Sequence, residues 1–229
     1  MFAGSIRQPP SAFRAFSGSS GAVSLASYPG LLGAGLVHPF WVAMQLTVVG
    51  SFGAAAVAAD VEAGTIELLM VRPISRARLL AERTAALVTG SLLVTAVATA
   101  TVAVGVAATP RLHAAVSLAG VAAAGVLGLG LALAIAGPVL AVSVGGRHRG
   151  QVVGATIVLG AGSFAINFIA QAWSTASFLR YLSPFHYYTP ADALVSGTVP
   201  LGSLAVLLAV FVVGVAVAGW LLEHRDLAP

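Results

Sequence analysis

Apolar and polar positions in this chain come in blocks, not in alternation. Five stretches, roughly Val37–Ala59, Ala85–Ala108, Ala114–Val142, Val152–Ala172 and Leu201–Leu222, stay apolar for about twenty residues or more. That is the length an α-helix needs to cross a hydrocarbon core of about 30 Å. Barrel strands would alternate apolar and polar residues over about ten positions, and these runs do not. The pattern therefore predicts an all-α polytopic membrane protein with five spans. The third is overlong and contains Gly137-Pro138, which predicts a kink and an extension beyond the bilayer. No Asp, Glu, Lys or Arg lies in any of the five. Gln45, Asn167 and Gln171 are their only amides, and such groups more often join helices than bind a solute.

Composition agrees. The chain is 59% hydrophobic and 8% charged, whereas a soluble domain carries about 25% charge. There is no cysteine, so disulfides and thiolate metal sites are excluded. All eleven basic residues are arginine, and they are dispersed along the chain, so a net charge of +4 does not point to nucleic acid. The opening "MFAGSIRQPPSAF" lacks the charged start and apolar core of a signal peptide.

Arginines accumulate on the cytoplasmic side of membrane proteins. Placing Asp60–Thr84, Gly145–Gln151 and the tail inside puts Arg72, Arg76, Arg78, Arg83, Arg147, Arg149 and Arg225 there. Arg7, Arg14, Arg111 and Arg180 are then outside. The C-terminus is expected inside and, with five spans, residues 1–36 form an extracytoplasmic N-terminal segment. "AVSLASYPGLLGAGLV" is read as an amphipathic surface segment. A sixth span there is the alternative, but it has sixteen residues with a proline near the middle.

Eight of the eighteen charged residues fall between Asp60 and Thr84. Gly64 permits a sharp break after the first span. Ile66, Leu69, Met70 and Pro73 then recur at i, i+3, i+4, i+7, one face of a helix, with Glu67 and Arg72 elsewhere on the wheel. Proline disfavours α conformation in the residue before it, so that helix should end near Arg72. Ser75 is placed to cap a new helix running into the second span. On spacing alone, an ordinary interfacial helix with its charges in water is the preferred reading.

The order of residues adds to this. Glu62, Gly64, Thr65, Glu67, Leu68, Leu69, Arg72, Pro73, Ser75 and Arg76, in "EAGTIELLMVRPISRARLL", resemble the cytoplasmic signature of ABC-2 type transporter permeases. "LSPFHYYTPADALVSG", Leu182 to Gly197, is similar to that family's external segment before the last span, and "HRDL" to its basic ending. The family usually has six spans. "PPSAFRAFSG" looks like the stretch after its first one, so a first helix is expected to be missing, through a start codon assigned too far downstream. A five-span variant and a substitute helix around Tyr28 are the alternatives.

The resemblance implies a transmembrane subunit, residues 37–229, of an ABC exporter in the bacterial cell membrane. It implies a separate ATPase that binds ATP and magnesium, and a second permease copy or related permease beside it. Thr65–Arg72 would be the coupling helix seated on the ATPase, with Ile66, Leu69 and Met70 as its apolar contact. Glu67, Arg72, Arg76 and Arg78 would make polar contacts. The chain agrees in two negative respects. Ion-coupled carriers place ionisable groups in the membrane, and a phosphate-binding loop needs a lysine; both are missing. An apolar pathway fits a drug, antibiotic or lipid as cargo, with efflux as the usual direction in the family. A permease-like subunit that passes ATPase motion to an external partner is the alternative. A membrane-embedded enzyme is disfavoured, because His38, His113, His148, His186 and His224 are scattered over different loops. The aromatic segment Trp173–Gly197 reads either as an interfacial belt or as an external gate. The gate would be built on Ser183, Pro184, Phe185, Tyr187 and Tyr188.

Overall fold

The computed structural model describes residues 23–65 and 75–224 and contains no strand among them. Its helices are α1 (Tyr28–Val37), α2 (Pro39–Ala56), α3 (Ala58–Glu62), α4 (Arg76–Ala108), α5 (Pro110–His113), α6 (Leu118–Gly145), α7 (Arg149–Ala172), a 3-10 helix (Ser174–Leu182), α8 (Pro184–Tyr187), α9 (Pro190–Ser196) and α10 (Leu201–His224). Five units are long and apolar enough to cross a membrane: α1 with α2, then α4, α6, α7 and α10. The chain is a multi-pass membrane protein.

The first span starts earlier than the apolar run suggests. Ser27 caps α1, its hydroxyl accepting from the Gly30 N–H at 3.2 Å. His38 and Pro39 interrupt the helix, since proline has no N–H to give, and α2 continues beyond them. At ten residues, or about 15 Å, α1 is too short to be a sixth span. It is also not an amphipathic surface segment, because Gly33 packs directly against Ala191 of α9.

The core is built around α6. In its most apolar window 67% of residues are buried, against 17–28% in the other spans; α6 is therefore the central helix and the others form a ring around it. It packs most extensively on α10 and also on α4, α2, α9 and α7. α6 continues through Pro138 to Gly145. The Gly137-Pro138 step is a crossing point with α10. A Cβ on Gly214 of α10 would lie 2.5 Å from the Pro138 nitrogen and nearer still to the Gly137 carbonyl carbon. Small residues here let two backbones touch, the usual basis of tight packing in lipid. Gly50, Gly53, Gly125 and Gly160 likewise receive side chains from neighbouring spans, whereas Gly162 faces open space.

Helix α4 has 33 residues, about 50 Å, well beyond the hydrocarbon thickness. Ser75 caps it as expected, accepting from the Arg78 N–H at 3.2 Å. Its first two turns, with Arg76, Arg78, Glu82 and Arg83, thus form a charged stem at one end of the bundle.

Candidate functional site

The charged end is organised by the geometry of four helix ends. Between α2 and α3 the backbone breaks at Val57, and the freed N–H groups of Val57 and Ala58 both donate to the Ser143 hydroxyl of α6, each at 3.2 Å. Helix α3 then stops at a glycine. Gly64 has φ +66°, a left-handed conformation that costs a glycine little. The Thr65 N–H returns to the Asp60 carbonyl at 2.9 Å, the six-to-one bond of a Schellman cap. The expected break at Gly64 is therefore present.

Four polar links leave this end. Asp60 pairs with Arg83 of α4 at 2.8 Å, both side chains about a quarter exposed. The Glu62 carboxylate accepts from the Arg149 N–H at 2.7 Å, at the first turn of α7, where a helix favours negative charge. Arg76 donates to the carbonyls of Leu222 and Glu223 at 2.6 and 2.8 Å, placing a cation on the last carbonyls of α10, the complementary case. The fourth is the Ser143 cap. Arg78 bonds only its neighbour Glu82 among these groups, with side chains 71% and 57% exposed, so it adds little to stability.

Of the residues singled out by sequence, Glu62, Gly64, Thr65, Ser75, Arg76 and Arg78 are thus brought to one end of the bundle. Ile66, Glu67, Leu68, Leu69, Met70, Arg72 and Pro73 lie outside the described residues. Sequence reasoning missed Asp60, Arg83, Ser143 and the Arg149 amide as members of the site. The first two belong to the same charge cluster, a signal that was available. A lone serine in an apolar run carried none.

At the opposite end, the five proposed gate residues are drawn into the protein to different depths. Ser183 is buried, donates to the Ser163 carbonyl at 2.7 Å and caps α8. Pro184 opens α8, and Phe185 packs edge-on against Phe164 of α7, ring centroids 5.4 Å apart. Tyr188 is buried, and its hydroxyl donates to the Leu36 carbonyl at 3.2 Å, tying this segment to α1. Burial raises its pKa far above the ordinary value, so the phenol stays neutral. Tyr187 is half-buried and reaches the Tyr181 carbonyl. His186 stands between the Tyr181 and Tyr187 rings, both centroids 5.0 Å away. Burial, with a smaller effect from nearby Arg180, lowers its pKa. Trp173, Phe178 and Tyr181 remain exposed. The segment therefore divides, with exposed aromatic residues at its start and buried or half-buried residues from Ser183 to Leu194.

Inside the bundle, Gln45 does what an amide in a span is expected to do. Its Nε2 donates to the Gly128 carbonyl at 3.2 Å and to the Thr95 hydroxyl at 3.5 Å, joining α2 to α6 and α4. Among the described residues no group of three His, Asp or Glu stands close enough to hold a metal ion. No family model, curated protein or solved structure matches the chain.

Proposed function

We propose that this chain is the membrane-spanning permease subunit of an ATP-driven transporter of the ABC-2 type, and that it exports a hydrophobic or amphipathic solute. ATP hydrolysis takes place in a separate subunit that docks on residues 65–72, and the arginine-rich end with the C-terminus is cytoplasmic. A second permease copy or a related permease completes the pathway.

One observation carries this reading. The segment 66–74 is bracketed by residues whose polar contacts reach every span. On its leading side, Asp60 reaches α4 and Glu62 reaches α7, while the backbone of Val57 and Ala58 is held by α6. On its trailing side, Arg76 reaches α10. An ordinary interfacial helix needs only a solvated polar face. A segment that takes up force from an engine needs stiff connections on both sides, and short charge-assisted hydrogen bonds are the stiff kind.

The test is co-purification from the native host, which should recover an ATPase with a lysine-bearing phosphate loop. Glu67→Arg and Arg72→Glu should each weaken the association with membrane insertion intact. A reporter fused after Pro229 should read as cytoplasmic. Normal ATPase binding by both variants would falsify the docking assignment, and an external reporter would reverse the topology.

A further inference from the structure

Helix α6 presents two glycines, Gly125 and Gly128, to the face of α4 that carries Thr95 and Thr99. A Cβ on Gly125 would collide with the Thr99 hydroxyl. One on Gly128 would lie 3.6 Å from the Thr95 Cγ2 and 3.7 Å from the Tyr188 Oη. Between them lies a pocket of about 10 Å³, lined by these four residues together with Trp41 and Tyr188. That is room for one water-sized group.

The polar groups around it are matched except in one respect. The Trp41 indole N–H donates to the Tyr188 oxygen, and the Tyr188 hydroxyl donates to the Leu36 carbonyl. The Thr99 hydroxyl donates to the carbonyl one turn back, as those of Thr47, Thr101 and Thr156 do on their own helices. Thr95, only 4% exposed, departs from that pattern. Its oxygen accepts from Gln45 at 3.5 Å, but among the described residues its own proton meets no acceptor. A buried donor left unmet is costly. The group that completes the pocket accepts from Thr95 and donates to Thr99, two hydroxyls one helical turn apart. Water does both, and keeps a second proton for the remaining lone pair of Tyr188. Three such bonds are usual for a buried water. A lipid methyl group fills the same volume and makes none of them.

We propose that this pocket binds one internal water, held by Thr95, Thr99 and Tyr188. The water ties α4 to the connection between α8 and α9, beside the point where Gln45 ties α2 to α4 and α6. Together they make one polar node inside an apolar bundle. The site stands independently of ATP coupling and of the transport reading above.

The full chain, crystallised from a lipid mesophase at a resolution that shows ordered water, should have one isolated density peak within hydrogen-bonding distance of the Thr95 and Thr99 hydroxyls. Gly128→Ala puts a methyl group into the pocket at ordinary contact distances, and should remove the peak with the helices unmoved. Thr99→Val keeps the side-chain shape but takes away the acceptor, and should remove it too. Gly162→Ala, on α7 where a Cβ meets nothing within 4 Å, should leave it in place. The counterpart in nanodiscs is a water cross-peak at the Trp41 indole proton by NMR, present in the native chain and lost in Gly128→Ala. A native chain with neither peak nor cross-peak would overturn the site. So would density running on into the surrounding lipid, or a peak that persists in Gly128→Ala. Persistence in Thr99→Val would remove Thr99 as a partner and with it the proposed geometry.

Discussion

Asp60 and Arg83 join the end of the first span to the stem of the second across 2.8 Å, with 24% and 30% of their side chains exposed. The pair lies between the fully solvated case, worth 0–1 kcal/mol, and the desolvated one. It also fixes where the helix emerging from segment 66–74 stands relative to the first span.

Asp60→Asn and Arg83→Gln should each lower stability, and the double variant should lose less than the sum. A coupling energy of about 1 kcal/mol is expected from a double-mutant cycle on detergent-solubilised protein. Strict additivity would mean that the two side chains do not interact.

Gly214→Ala should destabilise by about 1–3 kcal/mol, because the new methyl group meets backbone and not a movable side chain. Gly162→Ala, where nothing lies within 4 Å, should be neutral or slightly stabilising through helix propensity. Resistance to unfolding in SDS, measured on both variants, checks the contrast.

Ser143→Ala should strand the buried N–H groups of Val57 and Ala58, at about 1–3 kcal/mol. The signature is local, with faster amide hydrogen exchange at Val57 and Ala58 than at the middle of α2. Unchanged exchange there would show that the cap is dispensable.

Arg76→Gln tests coupling apart from docking. If the polar links transmit force, the variant should still bind its ATPase but lose most ATP-driven transport in reconstituted vesicles. Transport at wild-type rates would remove α10 from the path.

His186 offers a pH test outside the spans. Its folded pKa lies below the ordinary 6.5, so the unfolded chain binds the proton more readily. Stability should therefore be full above pH 6.5 and decline as pH falls from there through the lowered folded pKa. His186→Gln should flatten that slope in thermal melts taken between pH 7.5 and 5.

How much of this was legible in the sequence differs by feature. Gly64 as a breaker, Ser75 as a cap and Gln45 as a helix joint were readable, because each acts through its own backbone or its own polarity. Phe185 and Tyr188 could not be told from Trp173 and Phe178. An aromatic residue near a membrane surface is equally at home facing lipid or core, and only packing against Phe164 and Leu36 separates them.

The sequence by itself determined the solvent, the helical class and the five spans, since these follow from runs of apolar residues and the obligation to satisfy backbone polar groups within lipid. The tertiary structure alone decided which helix is central, which glycines are crossings, and that Asp60, Glu62 and Arg76 each reach a different span. In lipid every helix face is apolar, so periodicity no longer marks the buried side. What orders the bundle is close steric fit and a few hydrogen bonds between residues up to 152 positions apart, and no local pattern records those.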